Sequence, residues 1–196
     1  LRNAIPRESY ALVLVQSTKA KAFEKFIKAC EKIFRTEFAE TEPGLSFKCE
    51  KVAVPSKVMP KDEQYKFIRA VFACPNGVQR MSQAMKGLVE TSNNMAIVRI
   101  AKGSFQVHSL CRSAVNTAKE ATAWKIAAVF HLMGAKVTMS GGYPGWKPNM
   151  DSPVLGVLKT TYKKMFGAEP EVKAIHAGLE CAIIGGVYPD LDMISF

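Results

Sequence analysis

The chain has 196 residues, 48% apolar and 22% charged, with 27 Lys and Arg against 17 Asp and Glu, a net charge of +10. That apolar content builds one globular domain, or one and part of another, and excludes a disordered polymer. No apolar run approaches the ~18 residues that a membrane helix needs; the longest, Ile126 to Met133, is broken by His131.

The basic excess fits nucleic acid, acidic lipid or an anionic substrate. It equally fits part of a larger protein whose acidic portion lies elsewhere. Cys30, Cys49, Cys74, Cys111 and Cys181 are scattered and form no CxxC pair. That disfavours a disulfide scaffold or a zinc finger and favours a reducing compartment. The sequence opens at Leu1 with neither an initiator Met nor a signal-like segment, and it closes on Phe196 within a predicted strand. Both ends read as cut.

In chain order, Tyr10 to Val15 is a β-rich run and predicts a buried strand. Lys19 to Phe38 predicts a helix, with Phe23, Phe26, Ile27, Cys30, Ile33 and Phe34 on one face. Ser46 to Val54 alternates as a half-wet strand, and Pro55 to Asp62 is a polar loop. A second helix follows, with Tyr65, Ile68 and Phe72 on one side, stopped by Pro75-Asn76-Gly77. Val89 to Ala101 and Phe105 to Ser113 predict a hairpin joined at Lys102-Gly103-Ser104. Asn116 to Met133 predicts a third helix ended by Gly134, and Lys136 to Ser140 another strand. Up to this point the order predicts an antiparallel sheet with helices on one face, an α+β layer.

After Gly141-Gly142 a turn-rich connector, Tyr143 to Pro148, precedes a helix with Ser152 as N-cap, Pro153 at its first position and Gly167 past its end. Val154, Leu158, Tyr162 and Met165 form its expected inner face. A strand to Ile175, the stretch His176 to Cys181, a short helix and a strand from Met193 to Phe196 complete the pattern. Strands alternating with helices read as the edge of a parallel α/β layer, which places a domain boundary near residue 142.

Motifs for phosphate, dinucleotide, serine-hydrolase and zincin chemistry are absent. Carboxylates are thin and sit mostly on lysine-rich helix faces. A two-metal site needs several Asp, Glu and His ligands brought together, so the chain alone reads as unable to hold a catalytic metal. His131 reads as structural and His108 as at most a lone ligand. His176 opens His-Ala-Gly-Leu-Glu180 after a strand, which reads either as a ligand loop whose small residues admit an anion or as an ordinary strand-to-helix turn. Arg112 ends an apolar-polar strand; it reads either as a fork for a carboxylate, which Lys cannot imitate, or as a solvated strand-end charge. Asn3, in Arg-Asn-Ala-Ile-Pro, reads first as a turn residue.

Eight strings together resemble the cytosolic aminoacyl-histidine dipeptidases (Xaa-His dipeptidase, peptidase D), members of the dizinc exopeptidases that include the carnosinases. They are Leu1-Arg-Asn-Ala-Ile-Pro-Arg-Glu8, Pro75-Asn-Gly-Val78, Val89-Glu-Thr-Ser92, Arg112-Ser113, Gly142-Tyr-Pro-Gly-Trp146, Ser152-Pro153, Ile175-His-Ala-Gly-Leu-Glu-Cys181 and Pro189 to Ser195. They run in the family's order with similar spacing over nearly the whole chain.

The resemblance implies a zinc-binding catalytic α/β domain interrupted by an inserted lid that also forms the dimer contact. Residues 1–142 then match the later part of the lid/dimerisation domain, and 143–196 a truncated C-terminal portion of the catalytic domain. The metal ligands and the general-base Glu would lie before Leu1, and a last metal ligand, a His, just after Phe196. No catalytic or metal residue would fall within the chain, although the whole enzyme would hold two zinc ions. Asn3, Arg112 and Gly178 would bind the dipeptide's backbone and C-terminal carboxylate, with His176 and Glu180 as possible lining.

The reaction implied is hydrolysis of dipeptides such as Xaa-His by metal-activated water in a cytoplasmic homodimer, the piece alone being inactive. Neither nucleic acid nor membrane would be a partner. Ala182 departs from the Gly that relatives often carry there. The alternatives are a basic nucleic-acid-binding module, against which the aromatic residues sit at core spacing and no RNP-like strand occurs, and a stand-alone interaction domain.

Overall fold

A computed structural model describes residues 1–174 and 180–196. They form two compact units, residues 8–60 and residues 1–7 with 61–196.

In the unit 8–60, a 3-10 turn at Ser17–Lys19 leads into α1, Ala20–Glu37. The expected helix is present, with its apolar stripe only partly covered: Phe23, Ile27 and Cys30 are half-buried, while Phe26 and Ile33 are exposed. Its C-terminal end makes ring and hydrogen-bond contacts. Phe34 stacks on Phe38 and on Phe47, with ring centroids 6.2 and 5.7 Å away, and the Glu31 carboxylate accepts from Arg35 Nε at 3.1 Å and from the Phe47 amide at 3.4 Å. The predicted strands at Tyr10 to Val15 and Ser46 to Val54 are irregular backbone. β-propensity describes a residue that suits a pleated surface, but a strand needs a neighbour to complete its ladder, and none lies beside these runs among the described residues.

The second unit is built on a three-stranded antiparallel sheet of β1 (Gly77–Met81), β2 (Val89–Ala101) and β3 (Ser104–Ser113), in the order β1-β2-β3. The hairpin falls where its pattern predicts. Lys102 and Gly103 have φ of 52° and 73°, the mirror-image turn that matches strand twist. Its register pairs Thr91 with Ser113, Ser92 with Arg112, Asn93 with Cys111 and Asn94 with Leu110. Strand β1 was not foreseen, because Pro75-Asn76-Gly77 reads only as a helix stop. The Asn76 Oδ1 accepts from the Met95 amide at 2.8 Å, and β1 follows at once.

Helices α2 (Lys61–Ala73) and α3 (Asn116–Leu132) cover one face of the sheet. The core joins Ala70, Cys74, Ile126 and Phe130, with Met95, Phe105, Val107 and Cys111 packed against it. The side of α2 that groups Tyr65, Ile68 and Phe72 is not the one that packs inward. Tyr65, Ile68 and Phe72 are exposed, while Phe67 and Ala70 are buried and Phe67 meets Phe105 at 5.3 Å between ring centroids. The apolar stripe of α2 is wide enough to permit either side inward, and packing against Phe105 selects Phe67. His131 is exposed in the last turn of α3.

Beyond the sheet, α4 (Pro153–Phe166) and α5 (Glu180–Val187) follow. Helix α4 carries its predicted punctuation. Ser152 Oγ accepts from the Leu155 amide at 3.1 Å, Pro153 is at the first position, and Gly167 has φ +71°. Its expected inner residues Val154, Tyr162 and Met165 are nonetheless exposed. The strands expected at Lys136 to Ser140 and Met193 to Phe196 are irregular, as are residues 171–174. The α+β class holds: helices on an antiparallel sheet, followed by a segment that contributes α4 and α5 among its described residues.

Candidate substrate-contact face

Alternation along a strand puts every second side chain on one face of a sheet, and residues paired across two strands share that face. On β3, Phe105, Val107 and Cys111 point to the core, so His108, Leu110 and Arg112 stand on the other side. Ser92 and Asn94 of β2, paired with Arg112 and Leu110, join them. Arg112 is half-buried, and no Asp or Glu among the described residues forms an ion pair with it. A guanidinium held in place without an acid partner is open to a bidentate anion.

The Asn3 turn is tied to the same strand. Asn94 Nδ2 donates to the Arg2 carbonyl at 3.1 Å and to the Ala4 carbonyl at 2.8 Å. Asn3, exposed between those two residues, is thereby fastened to β2 two positions from the partner of Arg112. Arg112 and the turn that carries Asn3, 109 positions apart in sequence, are thus both attached to one sheet face.

Behind Arg112 lies a buried polar layer. Asn93, 2% exposed, donates from Nδ2 to the Pro75 carbonyl at 2.7 Å and accepts from Cys111 Sγ at 3.3 Å. Thr91 Oγ1 and Ser113 Oγ share a hydrogen bond of 2.9 Å. Burial, reinforced by the neighbouring Cys74 thiol, pushes the Cys111 thiol up to about 11, so it stays protonated and donates. These bonds flank Arg112 on both sides and fix the strand end that carries it.

The connector after residue 142 closes on that same strand end. Gly145 lies against the backbone of Ser113 and Ala114, and its amide donates to Asn116 Oδ1 at 2.7 Å. Lys119 Nζ donates to the Tyr143 carbonyl. Gly186 of α5 in turn faces the Pro144 ring. Between connector, α5 and residues 189–193 lies an open cleft of about 380 Å³, lined in part by Asn116, Trp146, Cys181, Asp190 and Asp192. Glu180, exposed, is the first residue of α5. Gly178 and His176 lie outside the described residues.

Among the described residues no three His, Cys, Asp or Glu side chains gather to hold a metal ion. Those residues therefore do not fit the two zinc ions that the sequence resemblance implies for a whole enzyme. No described helix is long and apolar enough to cross a membrane.

Sequence reasoning missed Asn93, Asn94 and Gly145. The signal for the first two was present: Asn is depleted in strands, and an Asn-Asn pair at the centre of one marks a role other than propensity.

No family model matches the chain. It is 36% identical over 195 residues to the cytosol non-specific dipeptidase of Escherichia coli (strain K12), a match covering 100% of this chain and 40% of that protein. The crystal structure of aminoacylhistidine dipeptidase from Vibrio alginolyticus superimposes with a TM-score of 0.88 at 33% identity, over 92% of this chain and 37% of that one. The chain therefore spans about 40% of the length of the curated relative it matches.

Proposed function

We propose, on its likeness to these two proteins, that the chain is part of a zinc-dependent dipeptidase cleaving dipeptides such as Xaa-His. Residues 1–142 serve as the later part of a lid and dimerisation domain, and 143–196 as the C-terminal portion of the catalytic domain. The enzyme works as a cytoplasmic homodimer. The two zinc ions are held by residues outside this chain, whose own contribution is to bind and orient the dipeptide.

One observation carries this reading: Arg112, without a described acid partner, shares a sheet face with the turn that holds Asn3. A dipeptide differs from a longer peptide in presenting its C-terminal carboxylate one residue from the scissile bond. Arg112 supplies two parallel N–H donors for that carboxylate, and the Asn3 amide supplies a donor and an acceptor for the backbone beside it. The sequence resemblance assigns Gly178 to the same substrate. His176 and Glu180 are the further candidates that the same resemblance offers for the site's lining. A substrate held at its far end is oriented as well as bound, which lowers the entropy lost on the way to the transition state.

The test is hydrolysis of Xaa-His dipeptides by the enzyme that carries this chain, with and without a chelator, and with Arg112→Ala. The substitution is expected to raise KM about thirtyfold, as lost charge-assisted hydrogen bonds do. A dipeptide amide, lacking the carboxylate, should be cleaved equally poorly by both forms. An unchanged kcat/KM for the free dipeptide sinks the role given to Arg112.

A further inference from the structure

We propose that Asn94 is a positioning residue for the dipeptide, acting through Asn3; this rests on the reading of Asn3 and Arg112 as substrate contacts. The two hydrogens of a carboxamide nitrogen can serve two acceptors at once, and those of Asn94 serve the carbonyls of Arg2 and Ala4, the residues on either side of Asn3. Without this clasp the turn has little to hold it. Its backbone bond, from the Ala4 amide to the Leu1 carbonyl, is long at 3.3 Å, and residues 1–10 are exposed throughout.

The clasp also sets where the turn sits. Asn94 is two residues along β2 from Ser92, the register partner of Arg112, and all three are on one sheet face. One strand therefore carries the guanidinium's neighbour and the fastening of the amide. The adjacent Asn93 performs a different task on the opposite, core-facing side. Packing does not explain an amide at 94: its hydrogen bonds lie at the protein surface, and Asn is a poor strand former. Its geometry is accounted for by the turn it holds.

Dipeptide kinetics and thermal unfolding of the enzyme carrying Asn94→Ala, Asn3→Ala and both together test this. Asn94→Ala is expected to raise KM about tenfold, because Asn3 must then be ordered at each binding event. It should change kcat and the unfolding temperature little. The double variant should match Asn3→Ala alone, since a clasp has nothing to position once Asn3 is gone. Asn94→Asp, which sets a carboxylate against two carbonyl oxygens, should raise KM at least as far as Asn94→Ala. A raised KM for Asn3→Ala beside an unchanged one for Asn94→Ala overturns this inference alone. So does full additivity in the double variant. An unchanged KM for Asn3→Ala overturns the reading of Asn3 and this inference with it, while the Arg112→Ala result still reports on the carboxylate contact.

Discussion

Gly145 and Ala114 meet backbone to backbone: a Cβ added at Gly145 would stand 2.4 Å from the Ala114 carbonyl oxygen and 2.8 Å from that of Ser113. The backbone of Gly145 has no unusual φ, so the glycine is there for space rather than for conformational freedom. It lets the connector lie on the end of β3 while its amide reaches Asn116 at 2.7 Å. The residues it touches follow directly on Arg112.

Gly145→Ala is therefore expected to destabilise the chain by about 3 kcal/mol, the upper range for an overpacked site, because the obstruction is backbone and cannot rotate away. Thermal or urea unfolding followed by circular dichroism measures the loss. A variant within about 0.5 kcal/mol of the parent would show that the connector detaches from β3 freely. In the enzyme, the same substitution should also raise KM, since the strand end carrying Arg112 moves with it.

The Cys111 thiol offers a test by pH. Burial, with Cys74 nearby, raises it from an ordinary value near 9 to about 11 in the folded chain. A raised value means that folding favours the neutral thiol. The associated stability is fully present below the unfolded value and is lost as pH rises from about 9 towards 11, where the unfolded chain ionises and the folded one resists. Unfolding midpoints measured from pH 8 to 11 should fall over that window, and Cys111→Ser should flatten the fall. Alkylation gives an independent reading. At pH 8 a thiol near 11 is about one part in a thousand thiolate, against about a tenth for one near 9, and Cys111 is half-buried while Cys49 is exposed, so iodoacetamide should label Cys49 well before Cys111. Equal labelling rates in the native chain would contradict this burial.

The parts of the fold legible in the sequence are those specified locally. Ser152-Pro153 and Gly167 mark the two ends of α4 through caps that involve only neighbouring residues. Lys102-Gly103 marks the hairpin because its turn needs two residues with positive φ. Runs such as Tyr10 to Val15 misled because pairing is not a property of a run but of two runs, and propensity cannot report the missing partner. The inner face of α2 stayed open for a related reason: Phe67 is chosen by Phe105, 38 positions away. Arg112 and Asn3 could be singled out by residue type and by likeness to a family. That Asn94 fastens one beside the other was not legible, since the tie spans about 90 residues and depends on the strand register.

Ser152 and Asp192 give the last test. Ser152 Oγ accepts from the Leu155 amide at 3.1 Å while donating to Asp192 Oδ2 at 2.8 Å, and the same carboxylate oxygen accepts from the Val154 amide at 3.0 Å. Two orphan amides of the first turn of α4 are thus satisfied, and a negative charge sits at the positive end of the helix dipole. The tie also fastens residues 189–193, one wall of the cleft beside α5, to the start of α4. Ser152→Ala should cost about 1–2 kcal/mol as the cap is lost and its hydrogen bond to Asp192 breaks. Asp192→Asn keeps an acceptor oxygen but removes the charge, and should cost less, about 0.5–1 kcal/mol. Because both act on one first turn, the double variant should cost less than the sum of the two singles. Unfolding free energies of the three variants decide it: strict additivity would mean that the serine and the carboxylate cap the helix independently, and that the segment after α5 is not held through Ser152.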